Sequence, residues 1–320
     1  MISVDTEEDN WKPTRTSLSV ENVRQVPRFQ RFLEDRGFRP TYFVAYEVAK
    51  QRWAASVLLE VAQRQSAEVA AHLHPWNTPP IIMPLDGHNT MTKNLPASLQ
   101  FEKLESLTSH HTRVFGAHPT SFRAGRFGIG TQLIGPLIGL GYKVDSSVTP
   151  YWDWRVPDSG PCFRDAPTTT YRLGANSNRV TVPDPTGPLV EVPVSCGFSR
   201  RDFEFWSGFH DLLQAAPFRA LKAPALAWRS HLIRKVFLSP ELHEPQDMLV
   251  LSRRLLERGV PYLHMTLHSP SLQAGLTPFT PSQADVERLY DKIDRYLSEL
   301  SKFVTPVPAL VQDFALAPGP

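Results

Sequence analysis

Apolar and polar positions along the chain fall into short apolar runs separated by helical stripes. Met1–Val4 is an apolar run that ends on an acidic cluster, and it reads as a buried strand. From Ser19 to Gly37, Val20, Val23, Phe29, Phe32 and Leu33 recur at roughly helical spacing, with Gly37 as the stop. Pro40–Ala45 reads as the next strand. Gln51–Gln65 follows as a helix whose inward positions are Trp53, Val57, Leu58 and Val61. A third strand, Glu68–Ala71, runs into His72-Leu-His74-Pro75-Trp76. After a polar, proline-containing loop at Asn77–Asn94, the pattern predicts a helix over Leu99–Phe115 and a strand over Thr120–Arg123. A helix over Gly130–Gly139 and a strand at Lys143–Asp145 come next. Periodicity dissolves between Thr149 and Pro188 and returns as a strand at Leu189–Val194. Helical segments are then expected over 206–235 and Pro245–Gly259, and a strand over Tyr262–Leu267. A helix over Ser282–Ser301 and a last strand at Phe303–Pro306 end the chain.

Strands alternating with helices through short connections are the signature of a parallel sheet or barrel. With no repeat period and no linker, the 320 residues are expected to form a single α/β domain over 1–320. That domain would carry a loop-rich insertion at about 149–188 and a helical insertion at about 206–240. The 30 prolines, clustered in 149–193 and 217–245, suit long loops on a barrel.

Charge and cysteine content narrow the classes. The 34 basic and 32 acidic side chains leave a net charge of +2, which offers no electrostatic footprint for nucleic acid. No apolar stretch approaches the ~18 residues of a membrane span, and acids arrive too early for a signal peptide. Cys162 and Cys196 are neither a disulfide framework nor a metal-ligand pattern. The expectation is a cytoplasmic protein, with its oligomeric state left open.

The candidate chemistry lies at predicted strand ends, where α/β enzymes place it. Asp5, Glu7, Glu8 and Asp9 put four carboxylates within five residues, and a cation or a shared proton would relieve their repulsion. A solvated acidic turn is the plain alternative. His72 and His74, two apart on extended backbone, point to one face. Together with Glu7 they would make a two-His, one-acid set of the kind that holds catalytic zinc. Arg123 precedes a glycine-rich turn; buried there it would need an anion, for which Asp5 is a candidate, and a surface arginine at a turn is the alternative. Asp145 ends the next strand, and either the N-cap of a helix or a turn would also explain it. His264 and His268 share a face of the late strand, with His268 nearer its C-terminal end. Trp76, Tyr151, Trp152 and Trp154 offer aromatic faces.

Taken in order, these motifs resemble those of the NodB-like polysaccharide deacetylases. The wording is closest to a branch of that family with Ser-Val-Asp-x-Glu-Glu-Asp, Ala-His-Leu-His-Pro-Trp and His-Ser-x-x-Leu-x-x-Gly-x-x-Pro. Those motifs correspond here to Ser3–Asp9, Ala71–Trp76 and His268–Pro278. The resemblance spans about residues 1–280 and implies an irregular (β/α) barrel with fewer than eight repeats.

It also implies residue roles. Asp5 would be the general base and Arg123 its orienting partner, while His268 would be the general acid, tuned by Asp145. Glu7, with Glu8 as the alternative, would bind a divalent metal together with His72. The second histidine of the family falls four residues after the first, where this chain has Trp76, so His74 would stand in. The metal implied is zinc, with cobalt or nickel able to substitute. Trp76 and Trp152 would floor the substrate site. The implied activity is removal of N-acetyl groups from a carbohydrate, with an acetylated carbohydrate or a small amide as substrate. A silent glycan-binding or scaffold barrel is the alternative from another class, because the metal motifs depart from the family pattern.

Overall fold

The apolar runs become strands in a computed structural model, which describes residues 1–9, 11, 18–64, 66–81, 85–215 and 233–316. The strands are β1 Ile2–Thr6, β2 Pro40–Ala45, β3 Glu68–Leu73, β4 Ser121–Ala124, β5 Val144–Asp145, β6 Tyr171–Leu173, β7 Leu189–Glu191, β8 Cys196–Phe198, β9 Lys235–Phe237 and β10 Met265–His268. Eight of them form one sheet in the order β10-β1-β2-β3-β4-β5-β7-β6. Within it every pairing is parallel except that of β6 with β7. The sheet curls strongly into a half-barrel. Its open side is bridged by irregular backbone: Ser195 N–H donates to the His264 carbonyl at 3.2 Å, and Thr266 N–H donates to that of Leu238 at 3.0 Å. β8 and β9 form a separate antiparallel pair beside this seam.

Helices α1 Val26–Glu34, α2 Tyr46–Lys50, α3 Arg52–Gln63, α4 Ala97–Phe115, α5 Thr131–Gly139, α6 Phe203–Gln214, α7 Pro245–Glu257 and α8 Gln283–Leu300 surround the sheet. Strand alternation divides the two faces. Ile2, Val4, Met265 and Leu267 join the apolar core with Phe29, Leu58, Leu251 and Ile293 of the helices. Between them, Ser3, Asp5, Thr266 and, further along the sheet, His72, Arg123, Asp145 and Glu191 are buried polar residues. The inner face is therefore polar and the outer face apolar. Among the described residues no helix is long and apolar enough to cross a membrane.

Several sequence expectations give way to local chemistry. The helix expected over Ser19–Gly37 divides into a 3-10 turn, Glu21–Gln25, and α1, because Pro27 lacks an N–H and suits only a helix start. The Asp9 carboxylate caps that 3-10 turn, accepting from the N–H groups of Glu21 (2.7 Å) and Asn22 (3.1 Å). The strand expected at Phe303–Pro306 is absent. That segment turns away, and its continuation is pinned under the barrel where Val311 N–H donates to Thr41 Oγ1 at 3.0 Å and Gln312 N–H to Glu68 Oε2 at 3.0 Å. Within the helical insertion expected at about 206–240, α6 is present, residues 235–237 are strand, and residues 216–232 lie outside the described residues.

A reciprocal capping box starts α8, with Ser282 accepting from Asp285 N–H and Asp285 accepting from Ser282 N–H. Removing it through Ser282→Ala should cost about 1 kcal/mol, read as a lower urea midpoint at unchanged slope. An unchanged midpoint would show that tertiary packing alone fixes this helix end.

Candidate active site

Parallel register brings the inward polar positions to one end of the barrel. Asp5 lies opposite His268, His72 opposite Arg123, and Asp145 opposite Glu191. Each pair shares a level, so residues scattered over more than 260 positions converge.

Glu7, His72 and His74 form a buried triangle whose ligand atoms lie within 4.8 Å of one another. His74 Nε2 is 3.1 Å and His72 Nε2 3.7 Å from Glu7 Oε2. Both imidazoles are held from behind. His72 Nδ1–H donates to the Arg123 carbonyl at 3.1 Å, and His74 Nδ1–H donates to the Glu8 carboxylate at 3.1 Å. With Nδ1–H committed behind, Nε2 is the atom that faces Glu7, and in the neutral imidazole it carries the lone pair a metal ligand needs. Two such nitrogens and a carboxylate oxygen fit zinc and related divalent ions.

Glu8 is thus placed behind His74 rather than at the triangle, and it also accepts from Trp76 Nε1 (2.6 Å) and Asn77 Nδ2 (2.9 Å). Burial opposes charge on His74, but the Glu8 carboxylate and then Glu7 outweigh it and raise the imidazole pKa to about 9. Burial likewise opposes charge on Glu7, yet hydrogen bonds from His72 and His74 hold its carboxyl well below the usual range. Gly125 makes room for this arrangement, since a Cβ there would fall 2.3 Å from His74 Cδ2.

Beside the triangle, Arg123 is fully buried and donates from Nη1 to Asp5 Oδ1 at 2.5 Å. The same group reaches Thr266 Oγ1 at 3.0 Å, Nε donates to the Ser146 carbonyl at 2.8 Å, and the guanidinium lies 4.1 Å over the Phe43 ring. The other Asp5 oxygen, Oδ2, is left 3.9 Å from both His72 Nε2 and His268 Nε2.

The carboxylate behind His268 is Glu241, not Asp145 as the motif order suggested. Glu241 Oε2 accepts from His268 Nδ1 at 2.9 Å, and Oε1 accepts from the His268 N–H at 3.1 Å and from Ser271 Oγ at 2.5 Å. Burial works against charge on His268, but Glu241 first, then Glu7 and Asp5, lift its pKa to about 10. Asp145 belongs to a different pair. It is wholly buried, accepts from Ser147 Oγ at 2.5 Å and faces the equally buried Glu191. Burial pushes both carboxyls up, and the neighbouring Asp145 carboxylate pushes Glu191 further. Glu241 carried no sequence signal, because it sits in a loop after β9 inside the proline-rich insertion. Glu191 could have been read from the inward parity of the strand it ends.

A cavity of about 370 Å³ opens onto Asp5, Glu7, His72, His74 and His268. Trp76 and Trp154 line it together with Trp11, Phe127, Phe237 and Phe279. Trp152 does not: its ring packs edge-on against Phe237 at 5.3 Å, with Lys235 over its face, behind the wall it was expected to form. His264 also lies away from the cavity, buried against Ser3 Oγ and Arg123. The loop after His74 is bolted by Lys103 of α4, whose buried ammonium donates to the carbonyls of Pro75, Thr78 and Pro80 at 2.6–2.8 Å.

No family model and no curated protein sequence matches this chain. Among solved structures, a provisionally assigned glycoside hydrolase/deacetylase from Parabacteroides distasonis aligns with TM-score 0.59 at 10% identity, over 98% of this chain and 69% of that one. A provisionally assigned polysaccharide deacetylase from Mycobacterium smegmatis aligns with TM-score 0.47 at 15% identity, over 96% and 93%. BA3943 from Bacillus anthracis, a CE4 family pseudoenzyme, aligns with TM-score 0.44 at 10% identity, over 98% and 64%. The chain shares with the first of these a deacetylase-like fold, an irregular (β/α) barrel.

Metal uptake by the triangle must displace the extra proton from His74, so apparent zinc affinity should climb as pH rises toward about 9. Glu8→Gln should weaken zinc binding roughly 10- to 100-fold and move that pH dependence downward, measured by chelator competition. Equal affinity in both proteins would remove Glu8 from the site. Lys103→Met, which strands three carbonyls, should lower stability by about 2–4 kcal/mol in urea titration.

Proposed function

We propose that the chain is a metal-dependent hydrolase that removes the acyl group from the nitrogen of an N-acylated carbohydrate, with N-acetyl sugars as the reference substrates. One observation carries this reading: the Glu7–His72–His74 triangle lies beside a carboxylate with one free oxygen and an imidazole with one free nitrogen. A divalent cation held there, zinc in the first instance, would acidify water and polarise the acyl carbonyl.

The chain's own groups divide the proton work. Arg123 fixes Asp5 through Oδ1, so Oδ2 is the atom that takes the proton of the attacking water. Glu241 holds His268 through Nδ1, so Nε2 is the atom that delivers a proton to the departing amine. With Glu7 committed to a cation, Glu241 is the support that keeps His268 charged. Oδ2 of the base and Nε2 of the acid lie 3.9 Å apart on the cavity floor, so both can reach the same reacting group from one side. The Asp145–Glu191 pair is fully buried and lines no part of the cavity, and it is assigned a structural role.

A glycan-binding barrel would have no use for a carboxylate and an imidazole each backed by a dedicated partner. Both protonation states must coexist during turnover, which gives a bell-shaped rate profile.

Asp5→Asn should abolish turnover of N-acetylated sugars, read as acetate release, while zinc content stays at one per chain. Retained activity would place the base elsewhere. Glu241→Gln removes the anion that favours the imidazolium, so the pKa of His268 falls and the alkaline limb of the profile moves to lower pH. An unmoved alkaline limb would detach Glu241 from the acid.

A further inference from the structure

The walls of the cavity are unlike the reaction centre at its floor. Six rings line it: Trp11, Trp76, Phe127, Trp154, Phe237 and Phe279. They flank both sides of the chemistry. Trp76 stacks on His74 with centroids 4.1 Å apart, and Trp11 stands edge-on to His268 at 4.8 Å with Phe279 beyond it. Phe127 stacks on Trp154 at 6.1 Å and packs against Phe237 at 5.8 Å, making a continuous opposite wall.

The polar groups of this lining are already engaged. Trp76 Nε1 donates to Glu8, and Trp154 Nε1 donates to Thr149 Oγ1 at 2.9 Å. Thr266 accepts from Arg123, Glu241 serves His268 and Ser271, and Arg126 donates to Asp158 Oδ2 at 2.6 Å. Apart from the reaction-centre atoms of Asp5, Glu7, His72, His74 and His268, the lining side-chain groups without a hydrogen bond among the described residues are Ser239 Oγ and the indole N–H of Trp11.

The cover is fixed rather than loose. Asp158 ties the two loops over the site, receiving Arg126 on its side chain and Asn94 Nδ2 on its carbonyl at 3.0 Å. Lys93 Nζ donates to the next carbonyl, Ser159, also at 3.0 Å.

A pyranose carries hydroxyls on most of its ring carbons, and each needs a partner when buried. Two unengaged polar groups cannot serve them, whereas six rings suit an apolar group of about one ring in size. The volume, near the low end for ligand pockets, agrees. We infer that the group buried in this cavity is the acyl substituent, an aromatic or branched aliphatic acyl larger than acetyl, and that the hydroxylated amine portion stays at the mouth. This rests on the N-acyl hydrolase reading and narrows its substrate to amides of apolar acids.

The test compares N-acetyl- and N-benzoylglucosamine, with N-acetylbenzylamine as the reversed arrangement. Calorimetric binding to the zinc-loaded Asp5→Asn protein gives a readout independent of turnover. Initial rates on the zinc-loaded native chain give the second. N-benzoylglucosamine is expected to bind about tenfold or more tighter than the N-acetyl compound and to show the higher kcat/KM. Trp154→Ala should cut that preference severalfold, and Trp154→Phe should keep most of it. Equal or better binding of N-acetylglucosamine overturns the inference while leaving the hydrolase reading intact, and so does a preference for N-acetylbenzylamine over both sugars. Selective binding of the benzoyl compound with no hydrolysis of any amide by the native chain would sustain the acyl pocket and sink the hydrolase reading.

Discussion

A fully buried guanidinium governs this barrel. Arg123 has no exposure to water, so its charge must be met inside, and four strands meet it: Asp5 from β1, Thr266 from β10, Phe43 from β2 and the backbone just past β5 through Ser146. Removing one member of such a group strands the other charge, at a typical cost of 3–5 kcal/mol. The arrangement tolerates little change in register, because a one-residue slip turns every inward side chain outward. The same residue fixes Oδ1 of the proposed base and, through its own carbonyl, the proton on His72.

Four neighbouring carboxylates are relieved by division of labour rather than by one shared ion. Asp5 is neutralised by Arg123, and Glu7 faces the two imidazoles. Glu8 takes three donors behind His74, and Asp9 caps a 3-10 turn. Each has its own set of donors, with His74 shared between Glu7 and Glu8 through its two nitrogens, which is how four like charges fit within five residues. At Asp145 and Glu191 the balance goes the other way: Arg123 acts on both carboxyls, but burial outweighs it and holds both above their usual range.

The insertions supply what the barrel strands do not. Glu241 follows β9, Trp154 and Asp158 lie in the irregular stretch before β6, and Lys103 reaches from α4 into the loop that bears Trp76. Loops held by buried charge at several carbonyls are well suited to shape a cavity, because their backbone has one satisfied arrangement.

The sequence by itself determined the alternation of strands and helices, the strand-end positions of Asp5, His72, His74, Arg123 and His268, and the likeness of their order to the deacetylases. These are legible because burial on a parallel strand imposes continuous apolar runs, and a polar residue inside one stands out. It also held, unread, the inward parity of Glu191. Which carboxylate backs His268, whether Trp152 or Trp154 faces the cavity, and why Glu8 stands behind its histidine were decided by tertiary structure. Glu241 lies in the proline-rich insertion after β9, 27 residues from His268 and separated from it by α7. Only the packing of that insertion against the seam between β7 and β10 brings the two within hydrogen-bond distance.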